Sequence, residues 1–120
     1  MAARSIRARV RDMLGEVELL EQIAAETSRD RFIGDVRLRH VVERAVEIIS
    51  EASRHLPDDF KAKYTKIPWP NIASVGNILR HEYYQVDARI LWDVLTKRLV
   101  PLRAALEALD DELSRNGENP

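Results

Sequence analysis

The chain has 120 residues, enough for one domain with a modest hydrophobic core. It is 45% hydrophobic and 32% charged with a formal net charge of −1, so no overall basic field draws in nucleic acid and any such contact must come from a local cluster of Arg and Lys. There is no cysteine, which excludes disulfides and thiolate chemistry and fits a cytoplasmic location, and no run approaches the roughly 18 apolar residues of a membrane span.

In chain order, the basic start Met-Ala-Ala-Arg-Ser-Ile-Arg runs straight into an amphipathic pattern, with no apolar signal region. Ile6, Val10, Met13, Val17, Leu20 and Ala24 step by four and three and predict a helix ending near Thr27-Ser28, where the pattern lapses. Asp35 is placed to cap a second helix carrying Leu38, Val41, Val42, Ala45, Ile48, Ile49, Ala52 and Leu56, stopped by Pro57. Residues 58–64 suit a short helix, and Pro68-Trp69-Pro70 reads as a rigid connector.

A third main helix is predicted from about Asn71 to about Tyr83. Asp87 then caps a last one through Ile90, Leu91, Val94, Leu95, Leu99, Leu102, Leu106 and Leu109, kinked at Pro101. Strand-type alternation is absent, and four main helices joined by short connections mean an all-α bundle of four to five helices. The domain is expected to span residues 1–115, with 116–120 a disordered tail. The first and last helices are long and amphipathic for so small a core, which favours self-association.

One stretch carries the residue types of a chemical site. On a wheel of about 100° per residue, Asn77, Arg80, His81 and Tyr84 gather opposite Ile72, Val75, Ile78 and Leu79. These groups suit metal-free phosphodiester chemistry. Histidine as a residue type exchanges protons near neutrality, so His81 can take or give a proton, while Arg80 can fork onto two phosphate oxygens. Asn77 can orient the imidazole, Tyr83 and Tyr84 can stack on a base, and Gly76 leaves the backbone open to close approach. Read from the residues alone, a solvated polar helix face remains the simpler alternative. His40 and His55 read as surface; Arg44 is a weaker candidate, because Glu47 and Glu51 lie within ion-pairing reach on the same helix. No His pair at metal-ligand spacing, Gly-rich phosphate loop or Gly-x-Ser-x-Gly elbow occurs, so neither a metal nor a cofactor is expected.

The order Arg44-Ala45-Val46-Glu47-Ile48-Ile49-Ser50-Glu51-Ala52, then Leu56-Pro57, Ile67-Pro68-Trp69, Asn77 to His81 and Tyr83 resembles the HepT-like proteins of the HEPN superfamily, over roughly residues 5–110. The resemblance implies a dimeric bundle with a cleft at the dimer interface. It also implies a metal-independent endoribonuclease that is the toxin of a type VII-like toxin–antitoxin module, silenced when an MNT-type nucleotidyltransferase antitoxin adenylylates a tyrosine. The family motif is an arginine, four variable residues, a histidine, one variable residue and a tyrosine. His81 matches the histidine, Tyr83 the modified tyrosine and Asn77 the polar residue that follows the arginine. The arginine position holds Gly76.

The catalytic set expected from this reading is His81, Arg80 and Asn77, with Arg80 replacing the missing cation. Tyr83 is the regulatory position, and Tyr84, Gly76 and Arg44 are secondary substrate contacts. The partners implied are a second copy of the chain, RNA and the antitoxin. The competing reading is a degenerate member of the fold that binds nucleotide or partner without cutting.

Overall fold

The computed structural model describes residues 4–82 and 86–118. The elements are α1 (Ile6–Glu26), α2 (Arg29–Gly34), α3 (Val36–Ser53), α4 (Asp58–Lys63), α5 (Trp69–His81), α6 (Ala88–Asp93), a π-helical turn (Val94–Arg98) and α7 (Leu99–Arg115). The fold is all-α, with no strand among the described residues.

The apolar stripe of α1 lies inward, with Val10, Met13, Val17 and Leu20 fully buried. It packs between α3 and α7, and α3 in turn carries α5. Ion pairs border the α1–α7 seam. Asp110 accepts from Arg7 at 3.0 Å and from Arg11 at 3.3 Å, and Arg103 reaches Glu21 at 2.9 Å. None of the helices among the described residues is long and apolar enough to cross a membrane.

The short helix α2 lies where the sequence pattern lapses. Ser28 caps it by accepting from the Arg31 amide, and Phe32 buries itself against the Trp92 ring at 5.6 Å, fixing α2 on α6. Six residues are under two turns, too few to show a period. The Asp35 cap is as expected, its carboxylate accepting from the Leu38 amide at 2.9 Å. The connector reading of Pro68-Trp69-Pro70 is corrected. Trp69 already begins α5, since Pro70 in the first turn gives up an amide that no carbonyl of the helix could have used. Trp69 packs on Phe60, and its indole N–H donates to the Tyr64 carbonyl at 3.2 Å.

The C-terminal half does not contain a simple proline kink. One turn before Pro101 the helix widens into the π form, and Thr96 Oγ1 donates to the Trp92 carbonyl at 2.8 Å within it. A proline leaves the carbonyl four residues back without its partner and presses on it, so loosening the preceding turn accommodates the ring. Beyond Arg115, residues 116–118 close the helix rather than trail from it. Gly117 takes φ +81° and donates to the Ser114 carbonyl, Glu118 donates to that of Leu113, and Arg7 bonds the Glu118 carbonyl at 2.9 Å.

Asp87 caps α6 as expected. Arg89 donates to it through its side chain (Nε–Oδ1 3.1 Å, Nη2–Oδ2 2.7 Å) and through its backbone amide at 2.8 Å. These donors, the side chain first, pull the carboxyl from an ordinary 3.8 down to about 2. A depressed carboxylate contributes stability that is complete above its unfolded value of about 3.9 and is lost as pH falls from there toward 2. In an NMR titration Asp87 should therefore show a midpoint near 2, and Arg89→Ala should return it toward 3.8. An ordinary midpoint in the parent chain would mean that the pair does not persist in solution.

Candidate active site at the end of α5

The position of α5 is set by a close crossing with α3. Ser50, only 1% exposed, accepts the Gly76 amide at 3.0 Å on Oγ and donates to the Ala73 carbonyl at 3.0 Å. Arg54 adds two charge-assisted bonds to the same carbonyl, from Nε at 3.1 Å and Nη2 at 2.6 Å. The pairing runs from Ala73 with Arg54 and Ser50 to Gly76 with Ser50 and the Glu47 backbone, so the two helices are antiparallel.

Gly76 is thus buried, which corrects its reading as an opening for substrate. The group that approaches its backbone is Ser50 of the same chain. A Cβ at position 76 would lie 2.6 Å from Ser50 Oγ, closer than real side chains come, and 3.0 Å from Ser50 Cβ, which is tight. The position that the resemblance assigns to the family arginine therefore cannot take a side chain unless Ser50 shifts.

One turn further on, the helix surfaces. Asn77, Arg80 and His81 are all exposed in the last stretch of α5, as the wheel predicts. Arg80 Nη2 donates to Asn77 Oδ1 at 2.5 Å, so the carboxamide holds the guanidinium and not the imidazole it was expected to orient. The partner is neutral, so the Arg80 charge is left for another anion. The neighbouring carboxylates of α3 are engaged elsewhere: Glu43 faces Arg39 at 3.9 Å and His40 at 3.7 Å, and Glu47 faces Arg44 at 3.3 Å. A cation in the last turn also suits the helix dipole.

His81 is the last residue of α5, with no hydrogen-bond or ion-pair partner among the described residues, and Glu82 already leaves helical geometry at ψ 40°. The helix stops two residues short of its predicted end, and Tyr83 and Tyr84 lie outside the described residues. Arg44 is exposed on α3 and paired with Glu47. It also acts on α1, where burial pushes the Glu16 carboxyl up and the Arg44 charge opposes that rise. The structure thus brings Asn77, Arg80 and His81 together and turns Arg44 toward α1. Ser50 and Arg54, which fix the path of α5, carry no signal in the sequence that sets them apart from surface polar residues.

Residues 13–109 match the family model described as Ribonuclease HepT-like, and the chain belongs to this family. It is 35% identical over 106 residues to a protein named probable ribonuclease HepT from Thermococcus cleftensis, covering 88% of this chain and 96% of that one. Two proteins named as putative RNases are also similar. One, from Caldanaerobacter subterraneus, is 34% identical over 81% of this chain and 87% of its own length. The other, from Methanocaldococcus jannaschii, is 30% identical over 89% and 98%. No solved structure matches the chain.

The crossing can be tested by filling it. Gly76→Ala gains about 1 kcal/mol of helix propensity, but the overlap with Ser50 should outweigh it, for a net loss of about 1–3 kcal/mol in urea unfolding. Adding Ser50→Gly should recover part of that loss. Gly76→Arg, which restores the family residue, should destabilise further. A Gly76→Ala protein as stable as the parent would show that α3 and α5 separate without penalty.

Proposed function

We propose that this protein is a metal-independent endoribonuclease and the toxin of a two-component toxin–antitoxin module. The observation that carries the reading is the Arg80 guanidinium, held by Asn77 and not neutralised, next to the exposed His81 at the end of α5 in a chain of the HepT-like family. His81 takes the proton of a ribose 2′-hydroxyl as its oxygen attacks the adjacent phosphorus. The bond to the 5′-oxygen breaks, and the imidazolium returns the proton to that leaving oxygen. Arg80 binds the phosphate oxygens where negative charge builds. In this reading two copies of the chain pair so that both motifs face one groove.

A nucleotidyltransferase antitoxin is the regulator proposed, with Tyr83 as the acceptor of AMP. The modification adds bulk and negative charge two residues from His81 and three from Arg80, competing with RNA for the same cation. The buried Gly76 favours a second reading, a member that binds without cutting, because the family cation is absent from its own position.

Expression of the protein alone, followed by growth and total RNA integrity, separates the two. As a ribonuclease, the parent chain arrests growth and fragments RNA. His81→Ala should lower cleavage by about 10²–10⁴ and Arg80→Ala by about 10²–10³. A parent chain as harmless as both variants, and as inert on purified RNA, would leave the binding module.

A further inference from the structure

The antiparallel crossing determines what lies beyond the end of α5. Position 76 is level with the stretch of α3 between Glu47 and Ser50, so the five residues on to His81 bring the motif level with about position 43. The first turn of α3 follows about 10 Å further along the axis, at ~1.5 Å per residue. Helix α2 joins the same end of the bundle. It packs on α6 through Phe32 and Trp92, and the charge of Arg29 acts on Asp87, the cap that follows the segment after the motif.

This end holds unpaired guanidiniums. Residues 29–43 contain four arginines against three carboxylates, Asp30, Asp35 and Glu43, in a chain whose net charge is −1. Arg39 is taken up by Glu43, but among the described residues the side chains of Arg31 and Arg37 make no hydrogen bond or ion pair. Both line an open depression with Thr27, Asp30, Gly34, Asp35 and Val36. Asp35 caps α3 there through the neutral Leu38 amide and keeps its charge, as does Asp30, but neither forms an ion pair with Arg31 or Arg37 among the described residues. The arginines of the α1–α7 seam differ in this respect, since Arg7, Arg11 and Arg103 all face carboxylates.

We propose that the α2–α3 corner is a second phosphate-contacting surface, on which Arg31 and Arg37 hold the RNA backbone as it leaves the Arg80–His81 centre. The assignment rests on the ribonuclease reading and extends it. RNA fits because a guanidinium forks onto phosphate oxygens without needing a preformed pocket, and because exposed cations at this separation follow a flexible backbone. The contacts are to phosphate, so they add affinity without base preference.

The test is binding of a 2′-O-methyl oligoribonucleotide, which lacks the attacking hydroxyl, measured by fluorescence anisotropy across a salt series. Arg31→Ala/Arg37→Ala should weaken binding several-fold and flatten the log–log salt slope by roughly 1.4, for two single-strand phosphate contacts. Lys63→Ala/Lys66→Ala, beside the start of α5 rather than its end, should leave both unchanged. If the parent chain binds and the arginine variant binds equally well, the second surface is wrong while the ribonuclease reading survives; the corner would then face something else, such as an acidic protein. Equal losses in both variants would show a diffuse charge effect and overturn the assignment. A parent chain that binds no RNA removes the ribonuclease reading and this surface with it.

Discussion

The contact on which the site depends is the crossing of α3 and α5 at Ser50 and Gly76. A hydroxyl that is 1% exposed bridges two backbone groups of the facing helix, and it can do so only because the residue opposite has no side chain. Close packed backbones fix the rotation as well as the spacing of a helix, because the glycine face must meet the serine. Once Gly76 points inward, Asn77 and His81 must point to the flank or outward, at about 100° per residue, whereas Arg80 stays near the glycine side and is exposed because it lies a turn further along. Arg54, gripping Ala73 one turn earlier, holds the same rotation from outside the crossing.

That geometry sets a conflict between packing and chemistry at one position. The family motif calls for an arginine where this chain needs the smallest residue, and the structure shows the packing requirement satisfied. A cation one turn later, at position 80, sits on nearly the same side of the helix but past the point where α3 covers it. Its anchor also changes. Asn77 lies three residues before Arg80, a spacing at which side chains on a helix meet, so the carboxamide becomes a support for the cation. The imidazole, at the helix terminus, has no hydrogen-bond or ion-pair partner among the described residues, and in the proposed pairing it faces the groove between two copies.

Much of the fold was legible because it follows from periodic burial. The stripes of α1, α3 and α7 were readable as stripes, although Val41 and Ile90, placed on the predicted stripes, are exposed, and Asp35 and Asp87 are caps whose chemistry is local. What escaped were features decided by a neighbour distant in sequence. Phe32 makes a helix of α2 by finding Trp92, sixty residues away, and Pro70 reads as a connector unless the start of α5 is already known. In the site, the common face of Asn77, Arg80 and His81 follows from spacing alone. The inward direction of Gly76 does not, because a bare glycine looks the same whether a ligand or a serine fills the space. Ser50 and Ser53 are polar and buried, so hydropathy places them on the wrong side.

The distribution of charge leads to the same end of the molecule. A net charge of −1 is a sum, and the structure shows how unevenly its terms are placed. Carboxylates are spent along the α1–α7 seam and the exposed edge of α3, where each cancels a particular arginine. Arg80, Arg31 and Arg37 are left without such partners at the end where α2, α3 and α5 meet. Attraction for a polyanion falls off within about 10 Å at 0.1 M salt, so in the proposed reading a phosphate backbone at that end meets the local charges, Arg31 and Arg37 with Asp30 and Asp35, and not the acids bordering α1. An almost neutral chain can therefore leave guanidiniums unpaired at one end, even with Asp30 and Asp35 beside Arg31 and Arg37.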